Sequence, residues 1–363
     1  MDWFARIGLE MPLLQAPMAG VSTSALAAAV SQAGALGAIG VGAAGPVRAR
    51  EMICQIRQQT AAPFNVNLFV HAAPQIDPAR EQAWLAWLRP LFASFGATPP
   101  AGLEPIYRSF NDDPDMLAML VHMRPPVVSF HFGLPSRPAI AALKAVGIIL
   151  LATATSVDEA RAAEAVGMDA IVAQGIEAGG HRGIFDPADA DDALGTCALT
   201  RLVVRACRIP VIAAGGIMDG AGIAAALALG AVAAQMGTAF IPCPESGADA
   251  AYRHALAGPA AFHTRMTRLV SGRPARCLAN RFTALDHGAG MPPPPDYPIA
   301  YDAGKALDKA ARKHDESGFG AFWAGQGAPL ARAMPARQLV RLLNEELQVA
   351  RQAPAYFHQK PVR

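Results

Sequence analysis

The chain has 363 residues, 52% of them hydrophobic and 17% charged, and a formal net charge of +2. This excludes a disordered chain, suits one large or two modest domains, and gives no electrostatic footprint for nucleic acid. Cysteines at 54, 197, 207, 243 and 277 form no Cys-x-x-Cys pair and no zinc spacing. No metal site is expected, and a dispersed, odd set of thiols fits a cytoplasmic protein. Met1-Asp2-Trp3-Phe4 lacks the basic region and apolar run of a signal peptide. Residues 25–45 are uncharged and long enough to span a membrane, but Gly34, Gly37, Gly40 and Gly42 divide them into helix, turn and strand. No membrane segment is expected.

In chain order, residues 13–17 read as a first strand, and Ser22 or Thr23 caps an alanine-rich helix running to about Ala33. Residues 36–40 form a second strand, 48–59 a helix, and 64–69 a third strand carrying Asn65 and Asn67. Strands at 127–131 and 148–152 follow, each leading into a helix, at 137–146 and 157–166. Residues 169–173 are a short apolar run of the kind buried on both faces. A helix over about 198–207 precedes a strand at 210–214. A helix at 221–229 precedes the eighth strand, 231–235. Eight apolar strands alternating with helices and ending in glycine-rich exits indicate a (β/α)8 TIM barrel. A doubly wound open sheet is the alternative.

Two stretches interrupt the alternation. Residues 73–114 contain prolines and a helical segment at 80–95, and residues 244–320 include Met291-Pro292-Pro293-Pro294-Pro295, a stiff connector. They are expected to form a smaller, mostly helical lid domain, leaving 1–72, 115–243 and 321–363 to the barrel. Residues 336–350 form an amphipathic helix, with Leu339, Leu342, Leu343 and Leu347 expected to pack on the barrel.

Chemistry concentrates at the strand exits. Gln174–Gly183 is a glycine-rich loop after the sixth strand, and His181 is the side chain there able to exchange a proton near neutral pH. Taken alone, a tight turn with a solvent-facing histidine is an equally good reading. Gly215-Gly216 and Gln235-Met236-Gly237-Thr238 stand at the seventh and eighth exits, where barrel enzymes often hold phosphate on backbone N–H groups. Close strand–helix packing would explain either pair of small residues by itself. Met18, Asn67 and Gln174 would ring the same mouth, an apolar wall with amide hydrogen-bonders that suits a flavin.

Gln15-Ala16-Pro17-Met18-Ala19-Gly20, the Gln-Gly-x-Glu-Ala-Gly-Gly-His loop, Ala213-Ala214-Gly215-Gly216-Ile217 and Gln235-Met236-Gly237-Thr238-Ala239-Phe240 together resemble nitronate monooxygenase, formerly 2-nitropropane dioxygenase. The resemblance runs through nearly the whole chain. It implies noncovalent FMN contacted by Asn67, Gln174, Gly179, Gly216 and residues 235–238, with His181 beside the reactive face; Met18, Gly180 and Gly215, at the same mouth, are also expected to bind the cofactor. Tyr297, Tyr301 and Lys305 recur every four residues and are expected to share a helix face. By pattern alone that face is a solvated one, since Lys309 and Lys313 continue it. The resemblance to class I members implies instead that this set, with Tyr107, grips an anionic substrate. His131, in Ser129-Phe130-His131-Phe132-Gly133, also matches class I. Pocket shaping and a hydrogen-bonded structural role both remain open for it.

The implied reaction oxidises alkyl nitronates, propionate 3-nitronate foremost, with O2 to a carbonyl compound plus nitrite and nitrate, a detoxification. His181 places the nitronate, and acts as general base if neutral nitroalkanes are accepted. The alternative is an NAD(P)H-dependent FMN reductase of the quinone or enoyl-thioester type, whose enoyl-thioester members typically carry an acidic residue where Gln174 stands. A non-catalytic FMN or phosphate-ligand sensor is a further reading. A monomer or homodimer, without nucleic-acid or membrane partners, is expected.

Overall fold

The computed structural model describes residues 3–286, 288 and 290–352. Its strands are β1 (Leu13–Gln15), β2 (Gly37–Gly40), β3 (Phe64–Phe69), β4 (Val127–His131), β5 (Ile149–Ala154), β6 (Ala170–Gln174), β7 (Gly180–His181), β8 (Val211–Ala214), β9 (Ala233–Met236), β10 (Thr264–Thr267) and β11 (Ala275–Leu278). Eight of them form one parallel sheet in the order β1-β9-β8-β6-β5-β4-β3-β2. The ends of that order meet. Leu14 and Leu36 form a parallel bridge, and the Gln15 N–H donates to the Leu36 carbonyl at 2.9 Å. The sheet therefore closes into a (β/α)8 barrel. Thr23, Asp113, Ser136, Ser156 and Asp219 each accept a backbone N–H at the start of an outer helix, so the chain turns back where the sequence supplies a cap.

Period-two alternation then sorts the strand residues. One set packs outward against the helices, as Ile171, Ala173, Ala234 and Met236 do. The inward rows change character along the barrel axis. Leu14, Val127, Ile149, Ala170 and Ala233 pack at the N-terminal end with Trp3 and Ile7 of the short helix Trp3–Ile7. Two or four residues further along the same strands come Ser129, His131, Thr153, Gln174 and Gln235, which line a cavity. The same strands thus supply a dry base and a hydrogen-bonding mouth.

The two stretches outside the alternation share an apolar core. Trp84, Leu88 and Phe92, on the helix Pro78–Ala93, pack with Leu269, Phe282, Ile299, Leu307 and Phe319. This region is not helical throughout. Strands β10 and β11 pair antiparallel, and β11 pairs in turn with β7, matching Ala275 to His181 and Arg276 to Gly180. The glycine-rich loop after β6 therefore contains a strand that joins the barrel exit to the other segment. Thr264–Thr267 and Ala275–Leu278 are four residues each and lack strong alternation, so they escape a periodicity reading. The helix bearing Tyr301 and Lys305 is Ile299–Arg312, and Tyr297 precedes it across a cis Tyr297–Pro298 bond. Tyr297 reaches the same surroundings from a turn, not from the helix face expected of it. The first strand likewise ends at Gln15 instead of extending to Pro17.

The helix Ala336–Gln352 closes the outer ring, burying Leu339, Leu343 and Leu347 against Ile223 and Ala226 of the helix Gly220–Ala228. Leu342 of the expected apolar stripe stays only half-buried. Leu343→Ala is expected to lower unfolding free energy by about 2–5 kcal/mol, measured by denaturant titration.

Candidate active site

A cavity of about 930 Å³ opens at the C-terminal end of the barrel. Met18, Asn67, Gln174, Gly179, Gly180, Gly215, Gly216, Gln235, Gly237 and Thr238 line it from the barrel, as do Tyr107, His131, His181, Tyr297, Tyr301 and Lys305. Of the residues singled out in the sequence, Met236 alone does not line it. It is 1% exposed and packs in the outer apolar layer with Ala213, Leu339 and Phe240. Its neighbour Gln235 takes the inward position, so strand alternation removes the Met236 side chain from the site.

His181 is fixed from both sides. The β7–β11 ladder sets its backbone, and its carbonyl accepts from His131 Nε2 at 3.1 Å and from Gln174 Nε2 at 3.0 Å. Gln174 Oε1 accepts the Gly183 N–H at 2.7 Å, and the Gln174 carbonyl accepts from Arg182. Arg182 is buried and held by Asp191 through two 2.8 Å contacts. Gln174 thus spends its amide on the His181 loop while also lining the cavity. His181 Nε2 lies 2.8 Å from Ser271 Oγ, whose hydroxyl is 3.3 Å from the Arg273 carbonyl. With that proton donated to the carbonyl, Ser271 accepts from Nε2–H, and His181 Nδ1 carries the lone pair.

Around the imidazole stand Trp323, Tyr297, Phe132 and Tyr301, with ring centroids 5.0, 5.5, 5.6 and 6.0 Å away. Lys305 Nζ lies 4.8 Å from the Tyr107 ring and 5.2 Å from the Tyr301 ring, a cation held over two phenols. The Tyr297 hydroxyl is buried without a hydrogen-bond partner although its residue borders the cavity. Phe132, Ser271, Arg273, Tyr252 and Trp323 were not legible as site residues. No local pattern marks them: even the unusual backbone of Phe132, with a φ of 77°, is invisible in sequence.

Burial sets the charge state. It pushes His181 down to about 3, helped by His131 and Arg273, and pushes His131 down to about 4. Both imidazoles are neutral near pH 7. Burial also raises Tyr107 to about 12, raises Tyr297 and Tyr301, and lowers Lys305. Around His181, neutral donors and the Lys305 ammonium therefore face the cavity, which Arg48 also lines.

The glycine exits differ in purpose. Gly215 and Gly216 have φ of 128° and 69°, and among the described residues the N–H groups of Gly215, Gly216, Gly237 and Thr238 donate to no protein oxygen. They sit at the ends of the paired strands β8 and β9, where Ala214 matches Gln235. At Gly179 the requirement is chain packing, since a Cβ there would lie 2.5 Å from the Gly325 nitrogen. Glu177, beside Gly216, is occupied otherwise. Its carboxylate accepts the Thr196 N–H at 2.8–2.9 Å, at the start of the helix Thr196–Ala206.

Because both histidines are neutral when folded and ordinarily titrate near 6.5, the unfolded chain takes up protons first as pH falls. Their contribution to stability is whole above about 6.5 and declines between there and about 4 for His131 or 3 for His181. Denaturant titrations from pH 7 to 5 are expected to show a loss of about 1.4 kcal/mol per pH unit per histidine, and His131→Gln should remove one histidine's share of the slope.

The nitronate monooxygenase family model matches residues 4–346. The chain is 60% identical over 341 residues to a nitronate monooxygenase of Paraburkholderia phytofirmans, covering 94% of this chain and 93% of that one. It is 57% identical to a nitronate monooxygenase of Pseudomonas aeruginosa, covering 95% and 99%. Among solved structures, a nitroalkane oxidase from Streptomyces ansochromogenes superposes with a TM-score of 0.86 at 43% identity, covering 94% and 97%. FabK from Thermotoga maritima superposes with a TM-score of 0.71 at 31% identity, covering 95% of each chain. With its barrel, its mouth and its relatives in agreement, the chain belongs to the nitronate monooxygenase family, flavin-dependent oxidoreductases that act on nitronates.

Proposed function

We propose that this protein is an FMN-dependent nitronate monooxygenase that converts alkyl nitronates and O2 to carbonyl compounds with release of nitrite and nitrate, removing a toxic anion. Propionate 3-nitronate is the favoured substrate. The observation that carries this reading is the meeting of His181, Lys305, Tyr107, Tyr297 and Tyr301 at one cavity that also borders the glycine exits. Segments 73–114 and 244–320 are read as the substrate lid, since they supply Tyr107, Tyr297, Tyr301 and Lys305.

The residues fit FMN. Unpartnered N–H groups at Gly215, Gly216, Gly237 and Thr238, on adjacent exits, suit a phosphate. Met18 offers an apolar wall, and Asn67 an amide whose nitrogen donates to Ser129 Oγ at 2.9 Å, leaving its oxygen for a ligand donor. When bound, FMN supplies the electron-transfer chemistry between substrate and O2. No helix among the described residues is long and apolar enough to cross a membrane. The exposed thiols of Cys54 and Cys197 agree with a reducing, cytoplasmic setting.

The protein's own groups then bind and orient. The Lys305 ammonium and the tyrosine hydroxyls meet the anionic groups of the substrate, with the Tyr297 hydroxyl gaining the partner it lacks. A nitronate already carries carbanion character, so neutral His181 needs only to position it through Nδ1. For a neutral nitroalkane the same nitrogen is the proton acceptor, but burial that brings His181 down to about 3 makes it a weaker base than its ordinary value implies, so a nitronate, which needs no proton removed, is the better substrate.

Anaerobic mixing with propionate 3-nitronate should change the flavin spectrum rapidly, and mixing with NADH or NADPH should not. The reverse pattern would assign the chain to reductases. His181→Asn is expected to lower kcat/KM for neutral nitroalkanes by about 10²-fold or more and for nitronates by roughly tenfold, with FMN retained. Full nitronate turnover by that variant would remove His181 from the mechanism. Lys305→Met should raise KM for an anionic nitronate by about tenfold, the worth of one charge-assisted hydrogen bond.

A further inference from the structure

Buried arginines near the barrel mouth are compensated unequally. Arg182, 1% exposed, has Asp191 as its counterion. Arg276, 6% exposed, donates to the Ile176 carbonyl at 3.0 Å and Thr264 Oγ1 at 3.1 Å, with Glu177 as its nearest favourable charge. Arg273 is 3% exposed and, among the described residues, forms no ion pair. Its Nη2 donates to the carbonyls of Ile184 and Phe185, and its Nε is buried with no partner. Glu159 and Asp186 favour its charge at longer range without pairing with it, and Arg268 opposes it, so the guanidinium remains only partly compensated, which is costly for a buried charge.

The environment of Arg273 directs that field to the cavity. Its Cζ lies 4.3 Å from the centre of the Phe132 ring. Arg273 itself does not line the cavity, but Phe132 does. Phe132 adopts a backbone conformation that side-chain-bearing residues rarely take, and its ring stands 5.3 Å from Tyr297 and 5.6 Å from His181. Arg273 also disfavours the charged forms of His71, His131 and His181. The groups facing this field are those three imidazoles, Tyr297, the carboxylates of Glu159 and Asp186, and Arg268. Positive charge held here repels protons from the histidines and attracts an anion.

We propose that Arg273 is a specificity-determining residue: its guanidinium, stacked on Phe132 with no carboxylate in direct contact among the described residues, supplies a positive field that selects anionic nitronates over neutral nitro compounds. The proposal rests on the nitronate reading of the site and extends it to the substrate's charge. A histidine cannot replace this source, because the imidazoles here are neutral, whereas a guanidinium keeps its charge across the working pH range.

The test is equilibrium calorimetry on the holoenzyme at pH 7 with two probes, nitrate as a planar anion and 2-nitropropane as a neutral nitro compound. Arg273→Gln is expected to weaken nitrate binding about tenfold or more and change nitropropane binding less than about twofold, as removal of a nearby unit charge predicts. Arg273→Lys should retain most of the nitrate affinity. Equal losses for both probes would make Arg273 a structural support for the 184–185 carbonyls and overturn the proposal, as would unchanged nitrate binding in Arg273→Gln. If Arg273→Gln does not fold, Lys305→Met decides: with the ammonium gone it should still bind nitrate more tightly than 2-nitropropane, and loss of that preference would make Lys305 the source of charge and overturn the proposal. In the wild-type enzyme nitrate affinity should stay nearly level between pH 7.5 and 6, and a tenfold rise per unit on acidification would make an imidazolium the source of charge and overturn it. These readouts need no turnover. Loss of nitronate oxidation with the Arg273-dependent preference intact would sink the proposed function alone. Normal oxidation with no preference would sink the Arg273 assignment alone.

Discussion

The backbone carbonyl of His181 is the point on which the site depends. Gln174 from β6 and His131 from β4 both donate to it, and the adjoining ladder ties the same residue to β11. One peptide group is thereby anchored to two barrel strands and to the segment that carries the tyrosines and Lys305. A loop of four glycines in ten residues would otherwise sample many conformations. Here its freedom is removed by hydrogen bonds that are buried, where an unmet donor or acceptor is expensive. The glycines are needed where the chain turns or touches another backbone, and the bonding partners supply the rigidity.

Electrostatics follow from the same burial. The inward rows of the strands become polar toward the mouth, but the groups they present are amides, hydroxyls and neutral imidazoles. The charges that remain are cationic. A basin of neutral donors bordered by an ammonium and a buried guanidinium is matched to an anion whose charge is spread over oxygen and carbon. Neutral histidine beside that basin is suited to orientation of a nitronate. It still offers a lone pair for proton removal.

Much of the barrel was legible. Strands at 64–69 and 127–131 emerged with the observed bounds because apolar runs between turn residues leave little freedom of assignment. Helices started where Thr23, Ser136 and Ser156 could cap them. The glycine exits and His181 were identifiable since motif order along a chain survives without knowledge of its path. The small β10-β11-β7 sheet was not, because each strand is short and gains its partners from distant segments. Met236 looked like its motif neighbours, but a strand sends alternate side chains to opposite faces.

What the sequence determined by itself was therefore periodic and local: eight strands and their helices, the caps, the order of the exits, and the residue types able to hold phosphate and shift a proton. The tertiary structure alone decided which of those groups share a cavity and in what charge state. Trp323, Ser271 and Phe132 meet His181 from separate parts of the chain, and Tyr297 reaches it from a turn rather than a helix. Arg273 gains its significance from having no ion-paired carboxylate among the described residues, with Glu159 and Asp186 acting on it only at longer range. Burial and long-range proximity arise only when distant segments pack, so no local spacing encodes them.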